Sequence, residues 1–142
     1  MEESSEEQKV EIPNWENIAK YKAAELENYI KRQKDAVQNA YNDGRINTLM
    51  KLLPLNDTIT TAVNSFRDES VKQGLNMLIR KFESIIADLG VEEIAVSVGD
   101  TFDPYIHECV NNSEVQSNTV SEVYQKGYKF AGRIIRPAMV KI

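Results

Sequence analysis

About forty consecutive residues, from Asn14 to Leu53, separate Pro13 from Pro54, and they are rich in Ala, Glu, Lys, Gln, Asn and Leu. These are good or neutral helix formers. Pro13 suits the start of a helix, where its missing N–H costs nothing. Apolar residues recur at Trp15, Ile18, Leu26, Tyr29, Ile30, Val37, Ala40 and Tyr41, with Lys22 and Gln33 in the gaps. That stripe is narrow, closer to a coiled-coil seam than to the broad face of a helix on a globular core. A helix of this length extends about 60 Å at ~1.5 Å per residue, and no other segment is long enough to cover it. The simplest partner is a second copy of the chain. Asp43-Gly44 interrupts the pattern, and Gly costs about 1 kcal/mol in a helix interior, so a kink or weak point is expected there. The polar stripe over residues 15–45 is expected to melt before the more apolar segment that follows.

That segment begins at Ile46 and includes Leu49, Leu52, Leu53 and Leu55, then Ile59, Ala62, Val63 and Phe66 at helical spacing. From Val71 the apolar positions are Val71, Leu75, Leu78, Phe82, Ile85 and Leu89, a sustained heptad seam. Ile79 and Ile86 widen it, as in a helix bundle, and Gly90 supplies a C-terminal cap. Two short helices per chain would give four in a dimer, which predicts a four-helix bundle at the interface. The residues expected to carry dimerisation are Leu26, Ile30, Val37, Leu52, Leu53, Val71, Leu75, Leu78, Phe82, Ile85 and Leu89.

Beyond Gly90 the texture changes. Ile94, Val96 and Val98 alternate on one face. Gly99-Asp100, Asp103-Pro104 and Lys126-Gly127 are turn signals. Arg133–Ile142 reads as a β-rich ending. The expected fold is therefore α+β: a disordered acidic tail (1–12), a long dimerising helix paired in coiled-coil fashion (13–53), short helices of a dimeric four-helix bundle (54–90) and a small C-terminal β-domain (91–142). The tail holds five Glu against one Lys, net −4 of the chain's −5, and has too little apolar surface to offset its ordering entropy.

Composition narrows the function. A net charge of −5 argues against non-specific nucleic-acid binding, which needs clustered Lys and Arg. One His and one Cys leave too few ligands for a conventional zinc site, and no cofactor is expected. An enzyme would have to use His107, with Asp100 or Asp103, so a binding protein is favoured over a catalyst. Cys109 has no partner for an intrachain disulfide. No run of eighteen apolar residues is present, and the acidic N-terminus lacks the basic and apolar regions of a signal peptide. A cytoplasmic protein, or the mature form of an organelle protein, is expected.

Three ordered blocks carry a resemblance: Gly90-Val91-Glu92-Glu93-Ile94; Phe102-Asp103-Pro104-Tyr105-Ile106-His107-Glu108; and Gln125-Lys126-Gly127-Tyr128 followed by Gly132-Arg133-Ile134-Ile135-Arg136-Pro137-Ala138-Met139-Val140. Together with Glu25-Leu26-Glu27-Asn28-Tyr29, Lys31-Arg32 and Leu52-Leu53-Pro54, the set resembles the GrpE family over residues 14–142. The resemblance implies a homodimeric nucleotide-exchange factor for a DnaK-type chaperone. In such proteins two long helices pair in parallel, a four-helix bundle follows, and a β-domain contacts the chaperone's ATPase domain so that its cleft opens and ADP leaves. The alternative is a structural coiled-coil adaptor of the same fold without exchange activity.

By the same resemblance, Arg133 matches an arginine that reaches the ATPase domain. Phe102, Tyr124 and Ile142 match apolar contact positions, and Pro104 fixes the loop that presents Phe102. Gly74 aligns with a helix glycine where bulk is poorly tolerated, and Lys31 and Arg32 match a basic cluster on the long helix. An aromatic is common in the family near the position held here by Asp43, and Ala is common where Cys109 stands.

Overall fold

The computed structural model describes residues 12–110 and 118–142. The expected acidic tail, apart from Ile12, lies outside them. Two helices and six short strands follow in order: α1 (Trp15–Ser65), α2 (Glu69–Asp88), β1 (Val91–Ile94), β2 (His107–Cys109), β3 (Glu122–Gln125), β4 (Gly127–Phe130), β5 (Arg133–Arg136) and β6 (Ala138–Lys141). The chain divides into two compact units, residues 1–40 and 41–142.

In the first unit Asn14 caps α1, its Oδ1 accepting from the Asn17 N–H at 3.1 Å. Pro13 therefore stands just before the cap and not inside the first turn. Every described residue of this unit is exposed. Ion pairs Glu16–Lys20 and Lys22–Glu25 line the helix surface, where solvent screening leaves them little weight.

The second unit overturns the expected architecture. The expectation was a long coiled-coil helix over residues 13–53, then two short helices over 54–90 completed into a four-helix bundle by a second chain. Instead the described residues form two helices, and α1 runs 51 residues through Asp43-Gly44 and Pro54 to Ser65. A proline inside a helix loses one backbone hydrogen bond and costs about 3 kcal/mol. Pro54 lies on the exposed side of α1, while Leu49, Leu53 and Asn56 are buried; their burial holds the helix through it. Thr58, Thr60 and Thr61 donate their hydroxyls to the carbonyls of Pro54, Asn56 and Asp57 at 2.9 Å, which suits the polar last turns. The chain breaks at 66–68, where Asp68 caps α2 by accepting from the Ser70 N–H at 2.8 Å.

The helices do not build their own core. Leu49 and Leu53 of α1 and Ile86 of α2 join Val91, Tyr128, Phe130 and Ile135 of the strands in one cluster, with Ile46 and Phe82 beside it. Along the heptad seam Val71, Leu78, Ile85 and Leu89 stay exposed, and Leu75 and Phe82 are half-buried. Ile86, which the seam reading treated as a flanking position, is the α2 residue that is buried. Arg45 ties the pieces together. Its Nη2 donates to the Leu89 carbonyl at 2.7 Å, at the C-terminus of α2, and its guanidinium stacks 4.8 Å from the Phe130 ring. It supplies the positive charge that the last turn of α2 lacks.

The strands form two three-stranded sheets, β1-β4-β5 and β2-β6-β3. The first is antiparallel; in the second β2 runs parallel to β6 and β3 antiparallel. Lys126-Gly127 is not a hairpin turn: β3 and β4 belong to different sheets, and the chain switches between them at Lys126. β1 is buried at Val91 and Ile94, not on alternate residues, and Val98 is exposed. The second sheet has its own core of Val120, Ala138 and Val140, flanked by Val96, Phe102 and Val123.

Candidate functional site

β4 and β5 are joined by the two-residue turn Ala131-Gly132, with Phe130 paired to Arg133. Both turn residues have positive φ, 50° and 74°, as the tight hairpin turn matching strand twist requires. Glycine adopts this conformation freely and alanine does so at a cost. The rigid turn fixes where β5 begins and hence where Arg133 emerges. The Arg133 Nη1 lies 2.7 Å from the Asp43 Oδ1 on α1, with the two side chains 47% and 57% exposed.

β5 also carries Arg136, which is held more firmly. It grips Asp57 of α1 through Nη1 at 2.5 Å and Nη2 at 3.1 Å, and donates to the Lys126 carbonyl at 3.0 and 2.7 Å. Its guanidinium lies 5.4 Å from the Tyr128 ring, and Gln125 donates to the same Asp57 at 2.8 Å. Lys126 meets Glu83 at 2.8 Å and Glu93 at 3.3 Å. Partial burial opposes its charge, but the two carboxylates outweigh that and push its pKa up.

The remaining sequence-predicted positions lie elsewhere. Phe102 is half-buried against the core of the second sheet, its ring 5.9 Å from that of His107. Asp103-Pro104 opens a tight turn: the Asp103 carbonyl accepts from the His107 N–H at 2.8 Å, and the His107 Nδ1 accepts from the Asp103 N–H at 3.0 Å. Pro104 is exposed on this turn, and Tyr105 beside it is 86% exposed. His107 is buried as a turn-fixing residue. Tyr124 is the extra residue of a bulge in β3, since Val123 pairs with Val140 and Gln125 with Met139. The bulge leaves its ring exposed beside a groove of about 460 Å³ lined by Asp57, Thr60, Thr61, Asn64 and Lys126. Its phenol pKa is raised, by loss of solvation first and by Glu122 second. Ile142 is half-buried after β6.

The structure thus places Arg133 on the first sheet beside Asp43, and Phe102, Tyr124 and Ile142 on or beside the second. Gly74 lies exposed on α2, with nothing within 4 Å of where a Cβ would stand. Lys31 and Arg32 are exposed in the N-terminal unit. Sequence reasoning gave no role to Arg45, Asp57, Arg136 or Tyr105. The first three act through contacts 44 to 79 residues apart, which have no local signature. Tyr105 was legible as an aromatic in a turn. Among the described residues no group of three or more His, Cys, Asp or Glu is placed to hold a metal ion. No helix among them is long and apolar enough to cross a membrane.

A family model described as GrpE matches residues 1–142. The chain belongs to the GrpE family. Protein GrpE of Clostridium beijerinckii is 37% identical over 123 residues, covering 84% of this chain and 58% of that protein. Protein GrpE of Caldanaerobacter subterraneus is 33% identical over 136 residues, covering 93% and 66%. Protein GrpE of Legionella pneumophila is 36% identical over 133 residues, covering 89% and 66%. The chain therefore spans about three-fifths to two-thirds of the length of these relatives. In this GrpE-family chain the GR-hydrophobic-hydrophobic-RPA block is the β5–β6 segment. Its two arginines divide the work between an open ion pair at Arg133 and a shielded one at Arg136, whose side chains are 47% and 17% exposed.

Proposed function

We propose that this chain is a co-chaperone that binds the ATPase domain of a DnaK-type chaperone, opens its nucleotide cleft and accelerates ADP release, in protein folding and the response to heat stress. Membership of the GrpE family carries the reading. No covalent step is required. A protein that binds the open cleft better than the closed one shifts the equilibrium toward open, and linkage requires that nucleotide weaken its grip by the same factor. Each tenfold loss of ADP affinity needs about 1.4 kcal/mol of differential binding.

In this reading Arg133 takes a carboxylate or carbonyl of the ATPase domain, which a guanidinium recognises in a planar, two-pronged fashion. Tyr124 and the exposed parts of Phe102 and Ile142 add apolar contact from the second sheet, with Pro104 fixing the loop. Lys31, Arg32 and Gly74 are further contact positions on the helices. The chain acts as a homodimer in the cytoplasm. Exposed apolar side chains support self-association: Leu26, Ile30, Val37, Leu52, Val71, Leu78, Ile85 and Leu89 are each 39% exposed or more, a large apolar surface for a chain of 142 residues. Leu53 is 1% exposed and filled into the chain's own core, so it has nothing left to offer a partner.

Light scattering of the chain, alone and mixed with a nucleotide-free ATPase domain, tests the proposal. It predicts a mass twice that of the chain alone, and a larger complex that dissociates on adding ATP. A monomeric mass, or no complex without nucleotide, contradicts it.

A further inference from the structure

We propose that Asp43 is a positioning residue for Arg133, holding one end of its guanidinium so that the other edge is presented to a carboxylate of the chaperone; this rests on the function proposed above. The two residues stand 90 apart in sequence, and Asp43 lies inside the continuous helix α1, where Asp43-Gly44 interrupts only the apolar spacing. The contact is single: Nη1 donates to Oδ1 at 2.7 Å. Among the described residues Nε and Nη2 of Arg133 carry no hydrogen bond, in contrast to Arg136, whose three guanidinium nitrogens are all engaged.

A carboxylate is gripped by two parallel N–H groups, and the Nε–Nη2 edge offers such a pair. An anchor on Nη1 alone leaves that edge whole. It also narrows the conformations of a long side chain that would otherwise be ordered only on binding, which is where affinity is lost. The base of Arg133 is already fixed by the Ala131-Gly132 turn and by the Phe130 pairing. Asp43 fixes the tip. Both side chains are about half exposed, so the pair is reachable from solvent and adds little to stability.

The test is titration of the full chain with a nucleotide-free ATPase domain at fixed salt, comparing wild type, Asp43→Ala, Asp43→Glu, Arg133→Ala and the Asp43→Ala/Arg133→Ala pair. Asp43→Ala is expected to weaken binding about threefold to tenfold, with thermal unfolding nearly unchanged. Asp43→Glu is expected to restore most of the loss. Asp43→Ala is expected to add nothing once Arg133 is gone. Tighter or unchanged binding by Asp43→Ala, while Arg133→Ala still weakens it, overturns the positioning role and leaves the Arg133 contact standing. An equal loss with and without Arg133 also overturns it, because Asp43 would then act by another route. If Arg133→Ala binds as wild type does, the contact itself fails and the inference fails with it.

Discussion

Gly127 passes so close to Ala138 that a Cβ on it would overlap the Ala138 amide nitrogen and lie 2.8 Å from the Pro137 carbonyl carbon. This is the point where the chain leaves β3 for β4 and crosses the start of β6. Backbone atoms form the obstacle, so no side chain can move aside. Gly127→Ala is expected to destabilise by about 3 kcal/mol, the upper end of the roughly 1–3 kcal/mol typical of overpacking. Gly74→Ala meets empty space within the chain and is expected to stabilise α2 by about 0.5–1 kcal/mol. Urea unfolding checks both. A destabilised Gly74→Ala would mean that a second molecule approaches α2 there.

The Asp57–Arg136 pair joins the end of α1 to β5, and its side chains are 29% and 17% exposed. Asp57→Ala strips two charged hydrogen bonds from Arg136 and one from Gln125. A loss of about 2–3 kcal/mol is expected, the range for hydrogen bonds to charged groups left half-satisfied. Asp43→Ala, at the more open pair, is expected to cost under about 1 kcal/mol. Equal losses in thermal unfolding would contradict the distinction between the two arginines.

Tyr128 is 1% exposed. Its phenol pKa is pushed up, by burial above all, with Lys126 and the adjoining Asn56 side chain pulling the other way. The Lys126 pKa is also raised. Both groups hold their protons more tightly folded than unfolded. Their contribution to stability is therefore complete below the ordinary values of about 10 to 10.5 and is lost as pH rises through the raised ones. Stability is expected to be flat from about pH 7 to 9 and to fall above about pH 10. Tyr128→Phe should flatten that fall. At neutral pH it should change stability by under about 1 kcal/mol, since among the described residues the hydroxyl has no hydrogen-bond partner. Denaturant midpoints across this pH range supply the measurement.

Hydrogen exchange along α1 should be graded. Residues 15–40 bury no side chain, while Leu49, Leu53 and Asn56 are buried further along the same helix. Local opening tracks buried apolar contact, so amides near residues 20–38 should exchange faster, and melt earlier on heating, than those near 46–58. Uniform protection over the whole helix would contradict this.

The helices were readable because their apolar spacing is a local property. Their partners were not. The run Val71 to Leu89 has the period of a bundle helix, yet period says nothing of what lies opposite, and strands took the place that further helices were expected to fill. The long helix was expected to end at Leu53, yet α1 continues through Pro54 to Ser65; the burial of Leu53 and Asn56 beside that proline, which outweighs its cost, is tertiary. The bulge at Tyr124 and the sheet switch at Lys126 are single-residue events without a pattern. Arg133 and Phe102 were picked out by family resemblance alone. Asp43 stood out as part of the Asp43-Gly44 interruption and as a departure from the family, and its pairing with Arg133 became visible once α1 and β5 were placed.

Stopped-flow release of labelled ADP from a DnaK-type chaperone shows directly whether the chain is an exchange factor. Acceleration that saturates with added chain is expected, with most of it lost in Arg133→Ala while the protein stays folded. No acceleration at saturating wild-type chain would contradict this; a complex that forms without speeding release would point to an adaptor instead.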